Sequence, residues 1–188
     1  MAKKVADQLV DTLEKAGVRR IYAVTGDSLN EVNEAVRKNG RLRWIHVRHE
    51  ETGAYAAAAE AQLTGELACC AGSSGPGHVH LINGLYDAQR SGARVLAIAS
   101  TIPSREFGTE YFQETNTIKL FDDCSYYNQV ATTPEQFPRM LQGAMQAAIS
   151  SRGVGVTWRQ RMLQRVCPLP FLFLRDNGFV PPNRKSGN

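Results

Sequence analysis

The chain has 188 residues, of which 43% are hydrophobic and 21% are charged, a balance typical of a soluble globular protein rather than a disordered or fibrous one. No apolar run approaches the ~18 residues that a membrane-spanning helix needs, and acidic residues interrupt the N-terminal segment where a secretory signal would be apolar, so we expect a cytoplasmic protein. The four cysteines have no Cys-x-x-Cys or other metal-ligand spacing, so we expect reduced structural thiols and no metal site.

Short apolar runs alternate with amphipathic segments along most of the chain, which is the pattern of a parallel sheet wrapped by helices. The sequence predicts strands at residues 20–25, 43–47, 67–71, 94–100, 126–130 and from about 154, and helices at 5–17, 28–40, 50–65, 78–92 and 133–153. We therefore expect an α/β fold, a doubly wound and mostly parallel sheet with helices on both faces. The loops at the carboxyl ends of the strands are then the place to look for function.

The loop after the first strand contains Gly26-Asp27-Ser28-Leu29, which matches the signature of the Gly-Asp-Ser-Leu serine hydrolases. A serine nucleophile needs a base and a carboxylate that orients it, and these hydrolases carry both in a late Asp-x-x-His block. The chain has no Asp-x-x-His, and its last histidine is His80. Ser28 and Glu31 instead have the spacing of a capping box, so we interpret Ser28 as the cap of the second helix.

Other segments at the predicted strand ends point to a different chemistry. They are "AGVRRIYAVTGDSLN", "RHEETGAYAAAAEAQLTGELA", "AGSSGPGHVHLINGLYDA", "VLAIASTIPS" and "YFQET". Over residues 1–154 the chain resembles the N-terminal pyrimidine-binding domain of thiamine diphosphate enzymes, and within them the pyruvate oxidases, the quinone-dependent pyruvate dehydrogenases. The likeness runs in one order along the chain, which makes it more specific than any single motif.

The resemblance implies a catalytic role for Glu50. In the family, a glutamate after the second strand hydrogen-bonds N1′ of the cofactor's aminopyrimidine and thereby helps to activate C2 of the thiazolium. His49-Glu50 matches the "His-Glu" pair that carries this residue. The alternative is that Glu50 or Glu51 only favours the start of an alanine-rich helix through the helix dipole.

The same resemblance implies the remaining site residues. The residues expected to bind the cofactor, in addition to Glu50, are Thr25, Gly26, Gly75, Pro76, Gly77 and His80. Phe112 and Gln113 are expected to face the substrate, and Gln113 is also assigned a catalytic role. The alternatives are an ordinary polar contact for His80 and packing of the loop aromatic Phe112 on its own domain.

The resemblance implies half of a shared active site. Relatives hold the diphosphate through Mg²⁺ with a Gly-Asp-Gly motif in a second domain, and they bind FAD in a further domain; neither has a counterpart in these 188 residues. The implied reaction is oxidative decarboxylation of pyruvate to acetate and CO₂, with electrons passing through FAD to quinone. We expect the isolated chain to be inactive. The alternatives are an inactive fragment that acts as a binding module, or an acetolactate synthase-like or 2-oxo acid decarboxylase domain.

The implied partners are thiamine diphosphate and a 2-oxo acid such as pyruvate. In the family the cofactor lies between domains of two subunits, so we expect a homo-oligomer or association with full-length subunits. Full-length relatives can associate peripherally with the inner membrane.

The last part of the chain changes character. Residues 155–188 carry six basic side chains and one acidic one and lack helical or strand periodicity. We expect the domain to end at residue 156 and residues 157–188 to be an atypical basic tail, either disordered or the product of a frameshift. The alternative is a basic extension that binds nucleic acid or anionic lipid; no nucleic-acid-binding fold accompanies it, so we expect no nucleic acid partner.

Overall fold

The computed structural model describes residues 4–160, and these form one parallel sheet with helices on both faces. The strands are β1 (Arg20–Ala23), β2 (Arg43–His46), β3 (Ala68–Gly72), β4 (Val95–Thr101), β5 (Tyr127–Ala131) and β6 (Val154–Gln160). The helices are α1 (Val5–Lys15), α2 (Asn30–Asn39), α3 (Glu50–Thr64), α4 (Pro76–Ser91), α5 (Thr117–Phe121) and α6 (Phe137–Ser151), with short 3-10 turns at Asp27–Leu29 and Ser104–Glu106.

The strands lie in the order β2-β1-β3-β4-β6-β5, and every pairing is parallel. One hydrophobic core contains α1, α2 and α6 and packs on one face of the sheet, while a second contains α3 and α4 and packs on the other. The central strands β3 and β4 are buried along their whole length because both of their faces are covered. The predicted doubly wound α/β fold is confirmed.

β6 continues past the domain boundary that the sequence suggested. Its residues pair with β4 as far as Thr101 opposite Gln160, and with β5 as far as Ala131 opposite Arg159. Residues 157–160 therefore belong to the sheet, because a strand between two parallel neighbours forms ladder hydrogen bonds on both sides. The rest of the expected tail, residues 161–188, lies outside the described residues.

None of the helices within residues 4–160 combines the length and the apolar composition that crossing a bilayer requires.

Gly155 sets the distance between β6 and the helix that covers it. A Cβ built on Gly155 would collide with the carbonyl oxygen of Ala144 in α6 and lie 2.8 Å from its carbonyl carbon. The helix backbone therefore packs directly on the strand backbone at this point, which no residue with a side chain would allow.

Gly155→Ala should lower the free energy of unfolding by about 3 kcal/mol, because α6 must move away from the sheet to make room for the methyl group. Urea denaturation of the full chain measures this. Gly40→Ala is the comparison: Gly40 has a φ of +69° but nothing within 4 Å of its ideal Cβ, so only backbone strain of about 1 kcal/mol is expected. A loss for Gly155→Ala no larger than that for Gly40→Ala would contradict the packing argument.

Candidate functional site

The site lies where the winding of the sheet changes direction. β1 and β3 are neighbours, but the chain leaves β1 toward α2 on one face and leaves β3 toward α4 on the other. Such a switch point opens a crevice at the carboxyl ends of the two strands, and ligands of open α/β sheets bind there. The loop after β1 and the loop after β3 form the two sides of this crevice.

Glu50 begins α3 and is 8% exposed. Its Oε2 atom lies 3.1 Å from Nδ1 of His80 in α4, and the carboxylate accepts this hydrogen bond. The ring of His49 stacks on that of His80, with centroids 4.4 Å apart and planes at 25°. Glu51, by contrast, is partly exposed and accepts a hydrogen bond from Asn83 at 2.7 Å. The two neighbouring glutamates therefore have different environments.

Glu50 and the two histidines beside it form a cluster that sequence spacing did not indicate. Potential ligand atoms of His49, Glu50 and His80 all lie within 4.8 Å of one another. The prediction of no metal site considered only short spacings along the chain, whereas His80 reaches this position from a different helix. In the structure, the imidazole of His80 supplies a hydrogen-bond donor to the carboxylate of Glu50.

The turn of Gly75, Pro76 and Gly77 lies between Glu50 and Gln113. Gly75 has a φ of +69°, and a Cβ on it would come within 2.9 Å of the Cα and Cβ of Gln113. A Cβ on Gly77 would come within 3.3 Å of Oε1 of Glu50. The structure thus brings together three parts of the predicted site that are far apart in sequence.

Ser28 does not cap α2. The helix begins at Asn30, after a 3-10 turn, without a side-chain hydrogen bond at its N-cap. The hydroxyl of Ser28 instead lies 2.7 Å from the hydroxyl of Ser73 and accepts a hydrogen bond from the backbone N–H of Ser74 at 3.0 Å. The capping-box prediction is therefore wrong: Ser28 is drawn across the crevice because these polar groups are buried and need partners.

The partners of Ser28 also bear on the hydrolase signature. Its hydroxyl contacts a serine and a backbone amide, so the hydrogen bonds described for it involve no base of the kind that activates a nucleophile. The other predicted binding residues of this loop are Thr25, which is exposed, and Gly26, which is partly buried. A Cβ on Gly26 would overlap the side chain of Ser73, so the backbone of the first loop packs directly on a side chain of the second.

Phe112 and Gln113 lie in the loop between β4 and α5. Phe112 is 81% exposed and contacts the ring of Tyr111, with centroids 4.8 Å apart, so it does not pack into the core of its own domain. Gln113 is partly buried, and its Oε1 accepts a hydrogen bond from the hydroxyl of Ser74 at 3.2 Å. The loop therefore presents one exposed aromatic ring beside one anchored amide.

The sequence analysis missed His78, which is fully buried at the start of α4. Its Nδ1 lies 2.8 Å from the carbonyl oxygen of Ser100, which can only accept, so Nδ1 carries the proton. Nε2 then accepts from the hydroxyl of Thr115 at 2.6 Å. Burial lowers the pKa of His78 to about 4, so the ring is neutral at pH 7. His78 ties the Gln113 loop to the end of β4.

A signal for His78 was present in the sequence. The residues of α4 that face the core are His78, Leu81, Leu85 and Ala88, which recur at helical spacing. His80, two residues further on, lies on another side of the helix and is exposed. The helical period therefore predicts that His78 is buried and His80 is exposed, although only one residue separates them in the sequence.

The cysteines of the described residues are structural, as expected. Cys69, Cys70 and Cys124 are buried free thiols. Burial raises the pKa of Cys70 to about 12 and that of Cys124 to about 11, so neither forms a reactive thiolate near pH 7. Cys167 lies outside the described residues.

Comparison with known proteins agrees with this geometry. Residues 3–120 match the family described as thiamine pyrophosphate enzyme, N-terminal TPP binding domain. The chain belongs to this family. Every candidate residue from Thr25 to Gln113 lies within the matched range, and so does the crevice between β1 and β3.

Individual relatives support the same family. An uncharacterized 42.6 kDa protein of Pseudomonas amyloderamosa is 58% identical over 153 residues, which is 81% of this chain and 39% of that protein. A putative thiamine pyrophosphate-containing protein of Bacillus subtilis, YdaP, is 46% identical over 83% of this chain and 28% of its own length. The pyruvate oxidase of Lactiplantibacillus plantarum is 38% identical over 79% of this chain and 25% of its own length.

The chain thus spans between a quarter and two fifths of the length of these relatives. What it shares with them is the thiamine pyrophosphate-binding domain.

Ser28→Ala should lower the free energy of unfolding by about 1 to 3 kcal/mol, because the buried N–H of Ser74 loses its acceptor. Chemical denaturation measures this, and Ser150→Ala serves as the control, since the exposed Ser150 hydroxyl bonds only a carbonyl of its own helix. The control should stay within about 0.5 kcal/mol of the parent. Equal stability of the two variants would show that the contact between the loops is not needed.

His78 should make stability depend on pH. Above pH 6.5 the His78 ring is neutral in both states, and its contribution to the free energy of unfolding is fully present. As the pH falls toward about 4 this contribution is lost, because the unfolded chain takes up the proton first. The loss expected from this one group is about 3 kcal/mol between pH 7 and pH 4. Denaturation of the parent and of His78→Gln across this range isolates it, because glutamine does not titrate. Identical pH profiles would refute the assignment.

Proposed function

We propose that this chain is the pyrimidine-binding half of an enzyme that uses thiamine diphosphate to decarboxylate a 2-oxo acid, with oxidative decarboxylation of pyruvate as the specific reaction. The observation that carries the proposal is the buried carboxylate of Glu50 beside the Gly75-Pro76-Gly77 turn. Likeness to a pyruvate oxidase at 38% identity supports the choice of pyruvate.

The residues present fit an aminopyrimidine ring. One oxygen of Glu50 is bonded to His80 and the other lies toward Gly77, where the lack of a side chain leaves the backbone close to the carboxylate. A flat ring with polar edges needs such a combination of one buried carboxylate and closely approaching backbone. When bound, thiamine diphosphate supplies a carbon nucleophile for the carbonyl carbon of the 2-oxo acid.

Glu50 would hold a proton between its carboxylate and N1′ of the aminopyrimidine. His80 would orient that carboxylate through its 3.1 Å hydrogen bond. The glycines of the turn would let the ring lie against the backbone, with Thr25 and Gly26 on the opposite loop. Phe112 and Gln113 would face the substrate, the first as an exposed apolar surface and the second as a hydrogen-bond donor.

The diphosphate, its Mg²⁺ and FAD would be bound by other domains, either of a partner subunit or of a longer protein. We therefore expect the 188-residue chain alone to show no pyruvate oxidation with thiamine diphosphate, Mg²⁺ and FAD. Steady turnover by this chain would contradict the assignment of half a site.

Acetolactate synthase-like chemistry is the second candidate. Acetolactate synthases of Brassica napus and Arabidopsis thaliana are each 33% identical over 80% of this chain. Identification of the product separates the two reactions, since acetate is expected from the first and acetolactate from the second.

Glu50→Gln should reduce turnover at least tenfold to hundredfold in a chimera that joins residues 1–160, which include all of β6, to the flavin and diphosphate domains of a pyruvate oxidase. Glutamine keeps the size of the side chain but cannot hold the charge that draws a proton onto N1′, and a hydrogen bond to an ionised group contributes about 1.5 to 3 kcal/mol. Steady-state kinetics and binding of thiamine diphosphate are both measured.

Glu51→Gln is the matched control, because it removes a carboxylate from the adjacent residue, which is bonded to Asn83 rather than placed beside the turn. Its turnover should stay within about threefold of the parent, since Glu51 contributes a charge at the helix start and a hydrogen bond to Asn83 rather than a contact with the turn. Loss of activity in Glu51→Gln but not in Glu50→Gln would assign the catalytic role to Glu51 instead of Glu50. If neither variant changed turnover, the proposed chemistry would be rejected.

A further inference from the structure

Two side-chain hydrogen bonds of the following residues and one close contact hold the loop around Gln113. The hydroxyl of Thr115 donates to His78, and the carboxylate of Glu114 accepts from the backbone N–H of Gly108 at 2.9 Å. Gly75 packs against the Cα of Gln113 so closely that it has no room for a side chain. The position of Gln113 is therefore set by its neighbours, and only its side chain torsions remain to be fixed.

The hydroxyl of Ser74 contacts that side chain. Ser74 is 3% exposed, and its Oγ lies 3.2 Å from Oε1 of Gln113. The backbone N–H of Ser74 is itself held by the hydroxyl of Ser28, which also contacts Ser73. A buried serine anchored in this way has little freedom to move, so it offers a fixed donor to the amide.

We propose that Ser74 is a positioning residue that holds the Gln113 side chain by its carbonyl oxygen, so that the –NH₂ group faces a ligand. Because the carbonyl oxygen of the amide accepts from Ser74, the –NH₂ group is the end left to donate. A ligand at this position is then recognised through acceptor oxygens, and the carboxylate of a 2-oxo acid has them. A reversed amide would direct its own oxygen at that carboxylate and repel it.

The identity of the ligand rests on the proposed function, but the positioning of the amide does not. Phe112 provides an internal contrast: it belongs to the same loop, yet its side chain is 81% exposed. Two adjacent side chains of one loop thus differ in exposure, and the Ser74 hydroxyl contacts only the second of them, Gln113.

The test is an NMR measurement on the full chain labelled with ¹⁵N and ¹³C, without cofactor or substrate. The order parameter of the Gln113 side-chain amide and its ¹³Cδ shift are compared in the parent, Ser74→Ala, Ser74→Thr and Ser104→Ala. Ser104 is an exposed serine of the same loop and provides the control. The backbone amide of Gln113 is followed in each protein as a check on the fold.

The side-chain order parameter should lie near that of rigid backbone, about 0.85, in the parent and the control, and should fall below about 0.6 in Ser74→Ala. The ¹³Cδ resonance should move upfield as its oxygen loses a donor, while the backbone order parameter of Gln113 stays unchanged. Ser74→Thr, which keeps the hydroxyl, should restore both side-chain values.

An unchanged side-chain order parameter in Ser74→Ala overturns the proposal, and so does a parallel fall of the backbone value, which would indicate a general structural role. The NMR measurement needs no ligand, so its result is valid even if the kinetics of the chimera reject the proposed thiamine diphosphate chemistry. The two failures are therefore distinguishable.

Discussion

The turn after β3 is packed on both sides against side chains that are distant in sequence, and the rest of the site depends on this packing. Gly75 meets Gln113 on one side, so closely that a side chain on Gly75 would collide with it, and Gly77 meets Glu50 on the other, where a Cβ would be a tight contact at 3.3 Å. Close approach of backbone fixes the separation of the carboxylate and the amide more firmly than side-chain contacts would, because backbone has few alternative conformations. The parallel sheet makes the contact possible, since it delivers the loops after β1, β3 and β4 to one edge.

The groups around this turn are joined mostly by neutral hydrogen bonds. Ser28, Ser73, Ser74 and Ser100 contribute hydroxyls, and His78 is held neutral because burial disfavours its charged form. Glu50 is the carboxylate among them that is largely buried. A largely buried carboxylate has few competing partners for an incoming polar ligand, which is the condition under which one hydrogen bond to a cofactor has a large effect.

Membership in the thiamine pyrophosphate enzyme family and the geometry of the crevice support each other but answer different questions. The family match covers residues 3–120 and establishes a TPP-binding domain. The geometry shows which groups lie near Glu50. His80 donates a hydrogen bond to it, His49 stacks on the ring of His80, and Gln113 lies across the turn. The reaction itself belongs to the proposal, because the chain spans a quarter to two fifths of the length of these relatives.

The sequence by itself determined the α/β fold and the approximate position of each strand, because buried parallel strands and their helices leave periodic apolar patterns that need no knowledge of distant contacts. It also placed Glu50, the glycine turn and Gln113 at strand ends, through the likeness of consecutive motifs. Only the tertiary structure decided the partners of the polar groups. Ser28 had the spacing of a helix cap yet bonds to Ser73 and Ser74 across the crevice, and His78 bonds to Ser100 and Thr115 in two other segments. Local spacing cannot determine such bonds, because a buried donor takes the nearest acceptor in space, and the fold sets which one that is.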